Sequence, residues 1–351
     1  MAPEPDHGTK GQVTADSQAE RIFAWRRGFN AMYLIDLGVR LGLFRTLAET
    51  PELSVRKLAE KLGLHARYVE TWCWTAYAFE LLEAEESRFR LAPFVGDILA
   101  NPSHPRYLGG YVSIGTEFIA HDYRQCLEAF RSGQVMPFQG RSDAFSQLVT
   151  ESAAGLNMVA ARKILPSLPG VTEQLSRGGA ILEVGCGGGN LQLQLARAFP
   201  KSRCVGIDID PTGLAAARQA VSEAGLMDRV QILEGDVSDV APPAVFDVVV
   251  MVAVLHEIAP RLRPGVIRGC ARALRPGGWL VIVDETYPST LAESRKPEFM
   301  FAVQTSFEEM LWGNVVPTRE EQEQLLHDAG FTGPITRSLL GTGFTVLTTQ
   351  R

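Results

Sequence analysis

Two textures of hydrophobic patterning divide this chain near Gly178-Gly179. Before that point the apolar residues recur at helical spacing. Between Arg21 and about Leu47, the residues Ile22, Phe23, Trp25, Phe29, Met32, Leu34, Ile35 and Leu37 form a wide stripe that predicts a long amphipathic helical stretch. Ser54 stands where an N-cap belongs, ahead of a helix Val55–Leu62 that Gly63 ends. A second helix is predicted from Ala66 to Leu82, and its aromatic run reads as buried. The charged turn Glu83–Ser87 then leads into Phe89, Arg90 and Leu91, a short strand or wing. Helix, turn, helix and wing outline a winged helix. From Pro93 to about Leu168 the pattern stays mostly helical, broken near Pro102, Pro105, Pro137 and Gly140. The polar start up to Glu20, with Pro3, Pro5, Gly8 and Gly11, reads as a loose tail.

After Gly179 short β-rich runs alternate with helix-length segments: Ala180–Val184, Cys204–Ile207, Val230–Leu233, Phe246–Met251 and Trp279–Val283. Such alternation implies βαβ units and a mostly parallel sheet. The ending differs. Ile335–Leu339 and Phe344–Thr349 are joined by Leu340–Gly343, which is hairpin length. The expected fold is therefore α/β: a Rossmann-like, mostly parallel, seven-stranded sheet with an antiparallel C-terminal hairpin, preceded by a mainly helical winged-helix domain.

The run Glu183-Val184-Gly185-Cys186-Gly187-Gly188-Gly189 follows the first strand of that sheet and precedes a helix starting near Asn190. Glycines there permit a tight turn with no side chain between backbone and ligand, and the helix N-terminus adds free N–H groups. Asp208 closes the second strand, Asp210-Pro211 opens a helix as N-cap and N1, and Asp236 follows the third strand. A nicotinamide or flavin dehydrogenase is the competing explanation, since an acid at Asp208 also suits an adenosine ribose. The spacing argues against it. Counting G-x-G-x-x-G from Gly185 ends on Asn190, and from Gly187 on Gln192, neither of them Gly or Ala.

At these residues the chain resembles the class I S-adenosylmethionine-dependent methyltransferases, whose first motif is acid-x-Gly-x-Gly-x-Gly. Glu183, Gly185, Gly187 and Gly189 match it in full. The resemblance runs from about Leu182 to the C-terminus and includes the Leu274–Gly278 turn. It implies S-adenosylmethionine as cofactor, with the glycine loop under the methionine moiety, Asp208 on the ribose hydroxyls, and Asp236, with Val237 beside it, at the adenine. The implied domains are a tail over 1–20, a winged-helix dimerisation domain over 21–100, a helical linker and substrate-pocket region over 101–170, and the cofactor domain over 171–351.

Methyl transfer from a sulfonium is an in-line displacement in which the protein mainly positions the acceptor. An acceptor hydroxyl must also lose a proton, which is work for a general base. His256, in Val254-Leu255-His256-Glu257 after the fourth strand, stands at the carboxyl edge of the sheet where such folds bind ligands, and an imidazole titrates near neutrality. The segment Phe246–Glu285 is similar to the small-molecule O-methyltransferases that carry a winged-helix dimerisation domain. That similarity implies His256 as base, Glu285 as the acid that helps hold it, and a homodimer formed through the N-terminal domain. The family's second glutamate falls at Val316 and is missing. C-methyltransferases of the same architecture act on 2-oxo acids with iron, and His256, Glu257 and Glu308 or Glu309 are the set to weigh for it. A metal-free site is the expectation, with C- or N-methylation as the alternative to oxygen. Phe299, Phe307, Met310 and Trp312, with His121 on an opposite wall, are candidates for a pocket that takes a mid-sized, partly apolar or aromatic metabolite.

Composition narrows the picture further. With 351 residues, 46% of them hydrophobic and 21% charged, two ordered domains are expected. No apolar run approaches the roughly 18 residues of a membrane span. Five scattered cysteines argue against a disulfide framework and for a reducing, cytoplasmic setting. A net charge of -6 speaks against nucleic acid or membrane partners. The rival from another class is a ligand-sensing winged-helix regulator, but the would-be recognition helix from His65 to Tyr77 has one arginine, no lysine and two tryptophans.

Overall fold

The computed structural model describes residues 13–138, 140–341 and 343–351, in two compact units divided after Pro102. In the first, α1 (Ala15–Arg40) and α2 (Leu43–Glu49) are followed by β1 (Leu53–Ser54), α3 (Val55–Leu62), α4 (Ala66–Ala78), β2 (Leu82–Glu85), β3 (Arg88–Leu91) and α5 (Val95–Leu99). Ser54 caps α3 by accepting from Lys57 N, and Gly63 ends it at φ +64°. Two expectations need correction. Residues 13–20 are not a loose tail, because Thr14 and Ser17 form a capping box that starts α1 at Ala15; residues 1–12 lie outside the described residues. Glu83–Glu85 are strand rather than turn. Only Glu86 and Ser87 turn, both at positive φ, the geometry that joins two twisted strands most tightly. Arg90 Nε donates to Glu83 across this hairpin at 2.8 Å.

The core of this unit gathers Phe44, Leu47, Leu58, Val69, Trp72, Cys73 and Leu82. Trp72 stands edge-on to Phe44 and its indole N–H donates to the Leu34 carbonyl at 2.9 Å. The α4 helix is buried on one side only. Tyr68, Trp74 and Tyr77 are 54–78% exposed on the other, so its aromatic run is not wholly core. Along α1 only the C-terminal half engages that core, while Ile22, Phe23, Trp25 and Phe29 stand 51–70% exposed.

The second unit opens with α6 (Gly109–Ile114), α7 (Asp143–Ser152) and α8 (Ala154–Val159), with π-helical turns at Gly115–Ile119 and Ala160–Ile164. The segment from 103 to 170 belongs to the same unit as the sheet. Then β4 (Ala180–Val184), α9 (Asn190–Ala198), β5 (Arg203–Asp208), α10 (Pro211–Glu223), β6 (Val230–Glu234), β7 (Phe246–Val252), α11 (Arg263–Ala273) and β8 (Leu274–Glu285) follow. Helices α12 (Met300–Leu311) and α13 (Arg319–Asp328) precede the hairpin β9 (Thr336–Leu340) and β10 (Phe344–Gln350). The strand order is β6-β5-β4-β7-β8-β10-β9, with β10 antiparallel to both β8 and β9 and the rest parallel. The seven-stranded Rossmann-like sheet with an antiparallel hairpin is thus observed.

Alternation along the strands builds a core on each face. Leu182, Val249, Met251, Leu280 and Ile282 face α11 and α13, while Ile181, Val248, Val250, Val281 and Val283 face α9 and the Ala160–Ile164 turn. Because β4 pairs with β5 on one side and β7 on the other, the winding reverses between β4 and β7. The crevice beyond their carboxyl ends is where such sheets bind ligands. The loops after β4 and β7 carry the glycines and His256.

Candidate active site

Three glycines after β4 occupy the left-handed region: Gly185 at φ +76°, Gly187 at +45° and Gly189 at +80°. The loop is boxed from several sides. A Cβ on Gly185 would come within 2.4 Å of Val254, one on Gly188 within 2.6 Å of Thr150, and one on Gly189 within 2.9 Å of Ala217. A Cβ on Gly187 would meet open space. The loop is thus pressed close to its supports at three positions and bare at one, as a cradle for a ligand needs to be.

Asp208, at the end of β5, accepts from Gly187 N at 2.7 Å with one oxygen and from Ile209 N and Asp210 N with the other. Asp236 caps the helical turn Val237–Val240, accepting from both Ser238 N and its hydroxyl at 2.7 Å, and Val237 is buried beneath. Glu183 is buried and accepts from Gln192 Nε2 at 2.8 Å. Burial raises its carboxyl to about 8, against the lowering effect of that hydrogen bond. The donor set and the bare glycine fit S-adenosylmethionine: acceptors stand at two strand ends and no cation opposes the sulfonium charge among these contacts.

His256 follows a strained turn in which Ala253 sits at φ +55°, unusual for a residue with a Cβ. The carboxylate that holds this turn is Asp284. Its Oδ2 accepts from Leu255 N at 2.6 Å and Val254 N at 3.2 Å, while its Oδ1 lies 2.6 Å from His256 Nδ1. An ionised carboxylate only accepts, so the Nδ1 proton points to Asp284 and Nε2 is left to face outward. On that side Glu309 Oε2 stands 3.8 Å from Nε2. Asn314 holds Glu309, its Nδ2 donating to Oε2 at 2.9 Å and its N to the Glu309 carbonyl at 2.7 Å. Burial alone would lower the His256 imidazole, but the Asp284 and Glu309 charges overcome it and raise it well above its ordinary value.

Glu285, expected to hold His256, does not contact the ring. It accepts from Thr305 Oγ1 at 2.8 Å, and burial raises it to about 7. The physical reason is strand alternation: Asp284 and Glu285 point to opposite faces of β8, and Asp284 has the face that meets the His256 turn. The second acid, missing at Val316, has a counterpart in Glu309 from the helix before. Sequence spacing gave no sign of it beyond the Glu308-Glu309 pair.

The candidate pocket residues separate. Phe307 and Met310 lie exposed on α12, with Phe307 stacked on Phe130 at 6.1 Å, and Phe299 is half-buried at its start. Trp312 is instead core: 7% exposed, packed on Phe138 and Phe145, its indole N–H donating to the buried Asp122 at 2.9 Å. His121 is exposed. Tyr123, two residues on, donates to Glu308 at 2.7 Å, and burial raises Glu308 to about 7 despite that bond. Of the two glutamates weighed for iron, Glu308 turns to Tyr123, while Glu309 stands beside His256. Among the described residues no three His, Cys, Asp or Glu side chains gather as a metal site.

A glycine cradle over β4 and a carboxylate-held histidine over β7, on this sheet order, define the class of Rossmann-like cofactor-binding transferases. Residues 181–278 match the family described as the methyltransferase domain. The chain is 28% identical over 254 residues to the tetracenomycin polyketide synthesis 8-O-methyl transferase TcmO of Streptomyces glaucescens, covering 70% of this chain and 72% of that one. It is 31% identical over 208 residues to the carboxy-S-adenosyl-L-methionine synthase of Chromohalobacter salexigens, covering 54% of this chain and 73% of the relative. In fold it is similar to human N-acetylserotonin methyltransferase in complex with S-adenosylmethionine, at 19% identity and a TM-score of 0.76, over 97% of this chain and 99% of that one. The chain belongs to the class I S-adenosylmethionine-dependent methyltransferases, and S-adenosylmethionine is its cofactor.

Proposed function

We propose that this methyltransferase acts on a hydroxyl oxygen of a small, partly apolar or aromatic metabolite, with His256 as general base. The observation that carries the reading is the buried His256–Asp284 pair at the carboxyl edge of β7, with Nε2 turned away from Asp284. Glu183, Gly185, Gly187, Gly189, Asp208, Asp236 and Val237 would hold the cofactor, which supplies an activated methyl group when bound. Only the neutral ring acts as a base, and the raised proton affinity of His256 shifts that form toward alkaline pH. In it Asp284 keeps the Nδ1 proton, Nε2 takes the proton from the acceptor hydroxyl, and the charge that develops on the ring is stabilised by Asp284 and by Glu309. The aromatic and methionine side chains Phe299, Phe307 and Met310 suit an apolar acceptor body. The name of the tetracenomycin relative, an 8-O-methylation in polyketide synthesis, supports oxygen as the acceptor atom.

The N-terminal unit is read as a winged-helix domain that pairs two subunits. Its support is the exposed apolar stripe Ile22, Phe23, Trp25 and Phe29 along α1. A cytoplasmic setting suits five free cysteines. No helix among the described residues is long and apolar enough to cross a membrane.

The test is methyl transfer from labelled S-adenosylmethionine to a panel of phenols, with metal content measured on the same sample. Replacing His256 by Ala is expected to keep S-adenosylhomocysteine binding, read by titration calorimetry, while turnover falls by about 10²- to 10⁴-fold. Unchanged turnover in that variant sinks His256 as base. Stoichiometric iron with a C-methylated product would favour the metal-assisted alternative.

A further inference from the structure

Arg263 is the first residue of α11 and only 4% exposed. Its Nε donates to the Ile258 carbonyl at 2.8 Å, and its Nη2 donates to the carbonyls of His256, at 3.2 Å, and Val315. Among the described residues it makes no ion pair. Burying a guanidinium is costly, and three neutral carbonyls offset that cost only in part. Burial lowers its affinity for its proton accordingly. A well-packed apolar side chain would serve stability as well or better, so the reason for a cation here lies in what its fork connects.

It connects the two halves of the histidine's surroundings. On one side is the turn after β7, from His256 to Ile258. On the other is the segment after α12, where Val315 N also donates to the His256 carbonyl at 3.3 Å. The residue before Val315 is Asn314, whose amide holds the Glu309 carboxylate in front of Nε2. Asp284 fixes the ring from behind through Nδ1, and nothing in that contact sets where Glu309 stands.

We propose that Arg263 is a positioning residue: its guanidinium clamps the His256 turn to the Asn314–Val315 segment and so sets the separation between the imidazole and Glu309. A lysine, a point charge on a flexible stem, cannot span the three carbonyls at once. The clamp rests on the reading of His256 as base for its purpose, but its geometry is tested without any acceptor. The charged groups around the ring are Asp284 from β8, Glu309 from α12 and Glu257 from its own turn, with Glu285 farther off on the other face of β8 against Thr305.

The experiment is NMR titration of the histidine side chains in the full-length protein, uniformly labelled with ¹⁵N. The His256 signal is identified by its loss in His256→Ala. Arg263→Lys and Asn314→Ala are each expected to lower the His256 midpoint by about one pH unit, because Glu309 is no longer held against the ring, and Arg263→Met to lower it by less, because the lost cation opposes that fall. S-adenosylhomocysteine binding on the same samples reports that the sheet edge is folded. Should Arg263→Met fail to fold, Arg263→Lys and Asn314→Ala decide the matter. A midpoint unmoved in those two folded variants overturns the clamp, whatever His256→Ala does to turnover. A moved midpoint together with full turnover in His256→Ala would uphold the clamp and remove the base.

Discussion

Asp284 does two things with one carboxylate. One oxygen gathers the backbone N–H groups of the turn after β7, and the other takes the His256 Nδ1 proton. The turn's shape and the ring's tautomer therefore depend on the same residue. Replacing Asp284 by Asn keeps the size but offers an amide that can donate to Nδ1, which favours the wrong tautomer. Turnover in Asp284→Asn is expected to fall on the order of 10²- to 10⁴-fold, measured with whichever phenol the panel identifies. Glu285→Gln, which retains an oxygen for Thr305, is expected to lose far less. Equal losses in the two variants would return the histidine's support to Glu285. The sequence displays both acids at the strand end; period-two alternation says that only one can face the turn, but not which.

At the scale of elements, apolar pattern translates into burial unevenly. The stripe of α1 has the composition of a core face, yet Ile22, Phe23, Trp25 and Phe29 remain exposed while Leu34 alone among the stripe residues is buried. Helical periodicity reports an apolar face and is silent on what covers it. If the cover is a second subunit, Phe23→Glu combined with Trp25→Glu should convert a dimer into a monomer in sedimentation velocity. A monomeric wild-type protein, or a variant dimer as tight as the wild type, would refute the stripe as the interface. Helix α12 has the opposite lesson. Phe307 and Met310 are exposed as pocket residues should be, whereas Trp312, at the end of the helix, is tied to Asp122 and belongs to the core. Spacing could not separate them, since all three read as one stripe of aromatic and methionine side chains.

For the whole molecule, the site is a concentration of buried acids, and this has a sign that can be worked out. Burial raises Glu183 and Glu257 to about 8 and Glu285 and Glu308 to about 7, all above the 4.5 of an exposed glutamate. His256 is raised too: burial opposes, and the Asp284 and Glu309 charges prevail. A group that binds its proton more tightly when folded contributes stability below its unfolded pKa and loses it as pH rises through the folded one. For the glutamates that window runs from about pH 4.5 to pH 8, and for His256 from about 6.5 upward. The cofactor-free protein is therefore expected to melt at a lower temperature at pH 8.5 than at pH 6, followed by circular dichroism at constant ionic strength. Each kcal/mol lost is worth roughly 2–4 °C in domains of this size. A melting temperature that rises over that interval would contradict the burial of these acids.

The order of strands and helices after Gly179, the glycine loop with its helix start, the Asp210 cap, the terminal hairpin and the methyltransferase class were all determined by local pattern. Each depends on neighbours within a few residues, where periodicity, capping and glycine's freedom act directly. His256 belongs with them, because its place after β7 fixes its place at the sheet's edge. Only the tertiary structure decided what surrounds that histidine. Asp284, Glu309, Asn314 and Arg263 come from separate elements, brought together by the register of β8 on β7 and by the return of the chain after α12. Contacts between side chains distant in sequence are set by packing, and packing leaves no period along the chain to be read.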